Sequence, residues 1–134
     1  MDASELIARF LARQRFAVAG ASVDRAKYGN KVLRCYLQHG RDVVALHPKE
    51  TEIEGVRAYR RLADVPETPE ALSIVTPPPI TESLVEEAAA IGVRHVWMQP
   101  GAESATAVRR AEELGLEVIA GGPCLLVALG FRDA

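Results

Sequence analysis

Apolar residues come in five short, nearly unbroken runs, at 16–19, 43–46, 72–75, 95–98 and 118–120. A strand with one wet face would alternate apolar with polar; these runs read instead as strands covered on both faces, the habit of a parallel sheet. Between them the spacing changes to that of helices. Val32, Leu33, Tyr36 and Leu37 share a face over 31–38, Leu84, Val85, Ala88 and Ile91 over 80–91, and Ala107, Val108, Ala111 and Leu114 over 104–114. Ahead of the first strand, residues 1–13 predict one more helix, with Asp2 as N-cap, Glu5 three positions on, and Leu6, Ile7, Phe10 and Leu11 on one side.

Punctuation supports the same units. Gly40, Gly92 and Gly115 each close a helical stretch shortly before a strand, and the strands end at Gly20, His47-Pro48, Thr76-Pro77, Gln99-Pro100-Gly101 and Gly121-Gly122. Strand alternating with helix, joined by right-handed crossovers, predicts one α/β domain over 1–134. Its expected architecture has three layers, a five-stranded parallel sheet in the order 3-2-1-4-5, and the helix over 1–13 packed on it. Residues 48–69 fit no regular unit: 57–62 read as a short helix and 67–69 as a loop. A last short helix is expected over 124–129.

Composition narrows the class. With 134 residues, 49% hydrophobic and 25% charged, the chain is a soluble globule, too short for a two-domain enzyme and unlike a disordered or collagenous protein. A net charge of −2 gives no electrostatic footprint for nucleic acid or an anionic membrane. No apolar run approaches the roughly 18 residues of a membrane span, and Asp2 and Glu5 spoil a signal peptide. Two cysteines, Cys35 and Cys124, make neither a disulfide framework nor a zinc site, so a reduced, cytoplasmic protein is expected. His39, His47 and His95 fall in different elements, which offers no metal pair and no partner for a nucleophile. Catalysis by the chain alone is therefore not expected.

In open parallel sheets, ligands bind beyond the carboxyl ends of the strands, where the strand order reverses. That edge collects the unusual residues. The loop from Gly20 through Ala21, Ser22, Arg25, Lys27 and Gly29 leads into a helix at Asn30 or Lys31, with Asn30 as a competent N-cap. Main-chain N–H groups and a positive helix end suit an anion. Residues 22–31 carry Arg25, Lys27 and Lys31 against Asp24, a local +2 in a chain of −2, and the one remaining lysine, Lys49, follows Pro48 at the end of the second strand. The spacing of a dinucleotide fingerprint is absent, and a lysine rather than an acid follows the second strand. NAD is disfavoured; NADP and coenzyme A, each with an extra ribose phosphate, both stay open. Thr76-Pro77-Pro78-Pro79 and Gln99-Pro100-Gly101-Ala102 form stiff turns with few proton-transferring groups, walls suited to a slender pantetheine arm.

Gly20-Ala21-Ser22, Lys27-Tyr28-Gly29-Asn30, Pro48, Val75-Thr76-Pro77-Pro78, Trp97-Met98-Gln99-Pro100-Gly101-Ala102 and Cys124 stand in an order that resembles the CoA-binding domain family, single-domain relatives of the N-terminal part of the succinyl-CoA synthetase alpha subunit. The resemblance covers about residues 14–130. It implies a Rossmann-like fold holding CoA or a short acyl-CoA, with the first loop on phosphate, Pro48 and Lys49 near the adenosine, and Thr76, Pro77 and Gln99 beside pantetheine. A carrier or regulatory role follows. The alternatives are an NADP-dependent oxidoreductase and the CoA-binding piece of a split, NDP-forming acyl-CoA synthetase, which would need a protein partner.

Overall fold

A computed structural model describes residues 1–133. Its elements in chain order are α1 (Ala3–Leu11), β1 (Arg15–Ala19), α2 (Tyr28–Gln38), β2 (Asp42–Leu46), β3 (Glu52–Ile53), β4 (Val56–Tyr59), β5 (Ala71–Ile74), α3 (Pro78–Ile91), β6 (His95–Met98), α4 (Ala105–Glu113) and β7 (Glu117–Ile119). A 3₁₀ turn occupies Leu62–Asp64, and a single π-helical turn at Leu126–Gly130 replaces the expected last helix. The N-cap of α1 is as expected: Asp2 accepts the N–H of Glu5 at 2.9 Å.

Both faces of the sheet are covered, and the strand alternation sorts side chains between two cores. Phe16 and Val18 of β1 point with Trp97 of β6 into a cluster beneath α1 and α2, built around Phe10, Leu33 and Tyr36. Ala17, Ala19, Leu72, Ile74, Val96 and Met98 pack on the other side against Leu84, Val85 and Ala88 of α3 and Ala107 and Ala111 of α4. The three-layer α/β class expected from the apolar runs is therefore the observed one.

The sheet itself corrects the expectation in count and order. It has seven strands in the order β3-β4-β2-β1-β5-β6-β7, parallel throughout except for the antiparallel β3–β4 pair. The strand at 71–74 lies beside β1, with Phe16 opposite Ala71 and Ala19 opposite Ile74. Its expected place beyond β2 is taken by β4, in the stretch read as a helix. There Ala45 pairs with Ala58 and Leu46 with Tyr59. The hairpin before β4 turns through Glu54 (φ 51°) and Gly55 (φ 82°), the two-residue geometry that matches strand twist.

At the amino end of the sheet, burial lowers the pKa of His95, against a smaller upward pull from Glu117. Two carboxyls beside it are held below their ordinary range: Glu117 by its pair with Arg9 at 2.6 Å, and Glu70 by the main-chain N–H of Gln14 at 2.7 Å. All three have the same sign. The unfolded chain takes up protons first, at His95 below about 6.5 and at the carboxyls below about 4.5, so stability falls as pH falls. A melting series from pH 8 to 4 should show a flat top, a decline beginning near 6.5 and a steeper loss below 4.5; a melting temperature rising with acid would contradict the assignment.

Candidate functional site

The chain runs from β1 to β2 on one side and later returns to β5 on the other. Strand order thus reverses between β1 and β5, and the loops after them splay apart at the carboxyl edge. A groove of about 440 Å³ opens there. Its walls come from Ala19, Gly20 and Ala21, from Leu46, His47 and Pro48, from Val75, Thr76 and Pro77, and from Ile80 and Leu84 on α3; Arg60, Arg61 and Leu62 close it beyond β2, and Glu87 is its single carboxylate.

Two glycines make the first loop possible. Gly20 has φ +86°, and a Cβ on it would run into the carbonyl of Val75; a Cβ on Gly29 would run into the carbonyl of Gly20 and lie 3.3 Å from Ala21 Cα. Gly29 therefore lets the first turn of α2 sit directly on the end of β1. The helix starts at Tyr28 after an N-cap, Lys27, that supplies no side-chain bond, so its first amides remain available to an anion.

Asn30 lies inside this first turn, fully buried, and is not the N-cap expected. Its Nδ2 donates to the Ser22 carbonyl at 2.8 Å and to Glu54 Oε2 at 3.0 Å, while its Oδ1 accepts from Arg34 Nε at 2.6 Å. It bolts the loop to its surroundings. Arg25 is likewise engaged, pairing with Glu54 at 3.0 Å. Ser22 Oγ accepts the N–H of Asp24 at 3.0 Å. Lys27 is exposed, and Lys31 lies 3.6 Å from Asp133. Lys49 is exposed and does not line the groove.

Gln99, at the end of β6, is fully buried. Its Oε1 accepts from Tyr28 Oη at 3.0 Å and from the Leu125 N–H at 2.9 Å, which fixes the orientation of the amide. Nε2 is left buried with no partner, an orphan donor of the kind that calls for a missing acceptor. Since Tyr28 gives its one proton to Gln99, Cys124 Sγ, 2.7 Å from Tyr28 Oη, is the donor of that pair. Burial, aided by Cys124, pushes the Tyr28 phenol well up, and burial lifts the Cys35 thiol to about 11.

Of the residues proposed from sequence, the groove unites Gly20, Ala21, Pro48, Thr76 and Pro77. Pro78 opens α3 behind them, while Gln99, Pro100 and Gly101 stand at the end of the next strand, with the Gly101 N–H turned to Glu103. Arg60 and Arg61 were not foreseen. Without a strand at 56–59 nothing carried them to this edge, although two adjacent arginines before an apolar residue were there to be noticed. No helix is long and apolar enough to cross a membrane among the described residues.

Solved structures share this architecture. The chain is 28% identical to a hypothetical protein from Pyrococcus horikoshii OT3, over 95% of this chain and 89% of that one, with a TM-score of 0.87. It is 36% identical to a conserved hypothetical protein from Pyrococcus furiosus, over 86% of this chain and 98% of that one, at 0.81. A dinucleotide-forming acetyl-coenzyme A synthetase from Ca. Korarchaeum cryptofilum, in complex with phosphate and ADP, is 27% identical over 80% of this chain but only 25% of its own, at 0.72. The family model described as the CoA binding domain matches residues 14–130, nearly the whole fold described above, and by that match the chain belongs to the CoA-binding domain family.

Proposed function

We propose that the chain binds coenzyme A, free or carrying a short acyl group, at the carboxyl edge of the sheet and performs no chemistry on it, serving as a carrier or regulator. The observation that carries this reading is the groove at the point of strand reversal, apolar in its walls, with the uncapped start of α2 beside the Gly20 turn that lines it. The residues fit the ligand's parts. A diphosphate suits the amides of the Gly20 loop and the α2 start, with Lys27 nearby; adenosine suits the space along Leu46 and Pro48, with Lys49 next in sequence; and the two amides of pantetheine suit Thr76, Pro77 and, beyond the groove at the end of β6, the orphan Nε2 of Gln99. Bound, CoA would supply its thiol as an acyl carrier, and Cys124 is the thiol of this chain on the same edge.

Calorimetric titration tests the assignment. CoA should bind with a single site per chain and more tightly than NADP, with NAD weakest, because β2 runs out into His47-Pro48-Lys49, with a lysine rather than an acid where a bare ribose would be held. NAD binding as tightly as CoA would reject the reading.

A second reading is favoured by the synthetase similarity, in which this fold is a quarter of a larger enzyme. The chain would then be the CoA-binding piece of a split, NDP-forming acyl-CoA synthetase. ATP hydrolysis that appears only when CoA, the chain and an ATP-binding partner are mixed would favour it over the stand-alone role.

A further inference from the structure

We propose that Arg60 and Arg61 form a subsite for a phosphomonoester on the ribose of the adenine nucleotide, and so set the preference for CoA over dephospho-CoA. The inference rests on CoA being the ligand and concerns which residues read its extra phosphate.

The register of the sheet places the pair. β4 runs parallel to β2 with Leu46 opposite Tyr59, and the His47 N–H donates to the Tyr59 carbonyl at 2.9 Å. Residues 60 and 61 therefore leave the sheet beside His47 and Pro48, and both arginines line the groove. Each is exposed, and among the described residues neither takes part in an ion pair or a side-chain hydrogen bond. This contrasts with Arg25 and Arg34, whose guanidiniums are already paired with Glu54 and Asp133. The one carboxylate lining the groove, Glu87, belongs to α3.

A third donor stands between the arginines and the Gly20 turn. His47 Nδ1 accepts the N–H groups of Lys49 at 3.0 Å and Glu50 at 2.9 Å, so the neutral ring carries its proton on Nε2. Two planar forks and an imidazole N–H make a set matched to a phosphate with three free oxygens. Position separates this phosphate from the diphosphate. β4 is two strands from β1, about 10 Å at the usual strand spacing, so a diphosphate on the α2 start and a phosphate on Arg60 and Arg61 would bracket a nucleoside lying along Leu46 and Pro48.

The test is a set of titrations with CoA and dephospho-CoA on the wild-type chain, on Arg60→Ala/Arg61→Ala, and on Lys49→Ala. The wild type should prefer CoA by about tenfold or more, as expected for charge-assisted phosphate contacts. The double variant should keep its melting temperature, since the two side chains hold nothing else, bind dephospho-CoA as the wild type does, and bind CoA no better than that. Adenosine 3′,5′-bisphosphate, which carries its ribose phosphate where CoA does, should bind the wild type more tightly than the double variant, and equal binding to the two would count against the subsite. A double variant that still prefers CoA, or a preference abolished by Lys49→Ala alone, overturns the subsite while leaving CoA binding intact; failure of the wild type to bind CoA at all removes both.

Discussion

Gly29→Ala is expected to destabilise the fold by about 1–3 kcal/mol, the range for forcing a methyl into filled space, and to weaken CoA binding by more than the same loss of stability elsewhere would. The added Cβ would collide with the Gly20 carbonyl, a main-chain atom held by the end of β1, rather than with a side chain free to swing away. Relief requires α2 to back off from β1. That movement opens the gap between the helix start and the Gly20 turn, the two sources of amide donors proposed for the diphosphate. Gly92→Ala is the comparison: φ there is +90° but nothing lies within 4 Å of the new Cβ, so it carries the left-handed penalty of about 1–2 kcal/mol without displacing the loop. Chemical denaturation and CoA titration of both variants separate the cases. Unchanged CoA affinity in Gly29→Ala would show that the close approach of α2 does not shape the site.

Arg34→Ala should be the other large effect, about 2–3 kcal/mol of stability, because it strands the fully buried Asn30 Oδ1, which has no water to turn to. Arg34 is only 6% exposed. Its guanidinium bridges three segments: Asn30 Oδ1 at 2.6 Å, the Arg25 carbonyl at 2.9 Å and Asp133 at 3.2 Å, with the Phe131 ring 5.1 Å beneath it. It ties the loop between β1 and α2 to the C-terminal segment, in part through Asn30. Lysine cannot replace a fork that serves three acceptors in different directions. A double-mutant cycle with Asn30→Ala should give a coupling of about 1 kcal/mol or more, as for contacting residues in one network. Additive losses would mean that the two side chains stabilise the loop independently.

How much of this was legible beforehand depends on what each residue answers to. Strands buried on both faces leave continuous apolar runs, and all five such runs became strands of the sheet. β4 was hidden because it is four residues long and carries Arg57 and Tyr59 among its side chains; its pattern alternates as an outer strand's does, and its hairpin uses Glu54-Gly55 where Asn-Gly would have announced a turn. Missing it misplaced β5 and hid Arg60 and Arg61. Asn30 shows the opposite limit. Its type suits an N-cap, but the cap position fell to Lys27 once Gly29 drew the helix back onto β1, and Asn30 became a buried strut. Gln99 was named for its motif, whereas its unspent Nε2 donor depends on Tyr28 and Leu125 arriving from 71 and 26 residues away.

A crystal structure of the chain grown with CoA tests the central claim most directly. The nucleotide should lie across the carboxyl ends of β2, β1 and β5, with its diphosphate on the amides of residues 20–29, its ribose phosphate toward Arg60 and Arg61, and its pantetheine running past Pro77 toward Gln99. CoA bound at any other surface, or a groove that stays solvent-filled at saturating CoA, would contradict it.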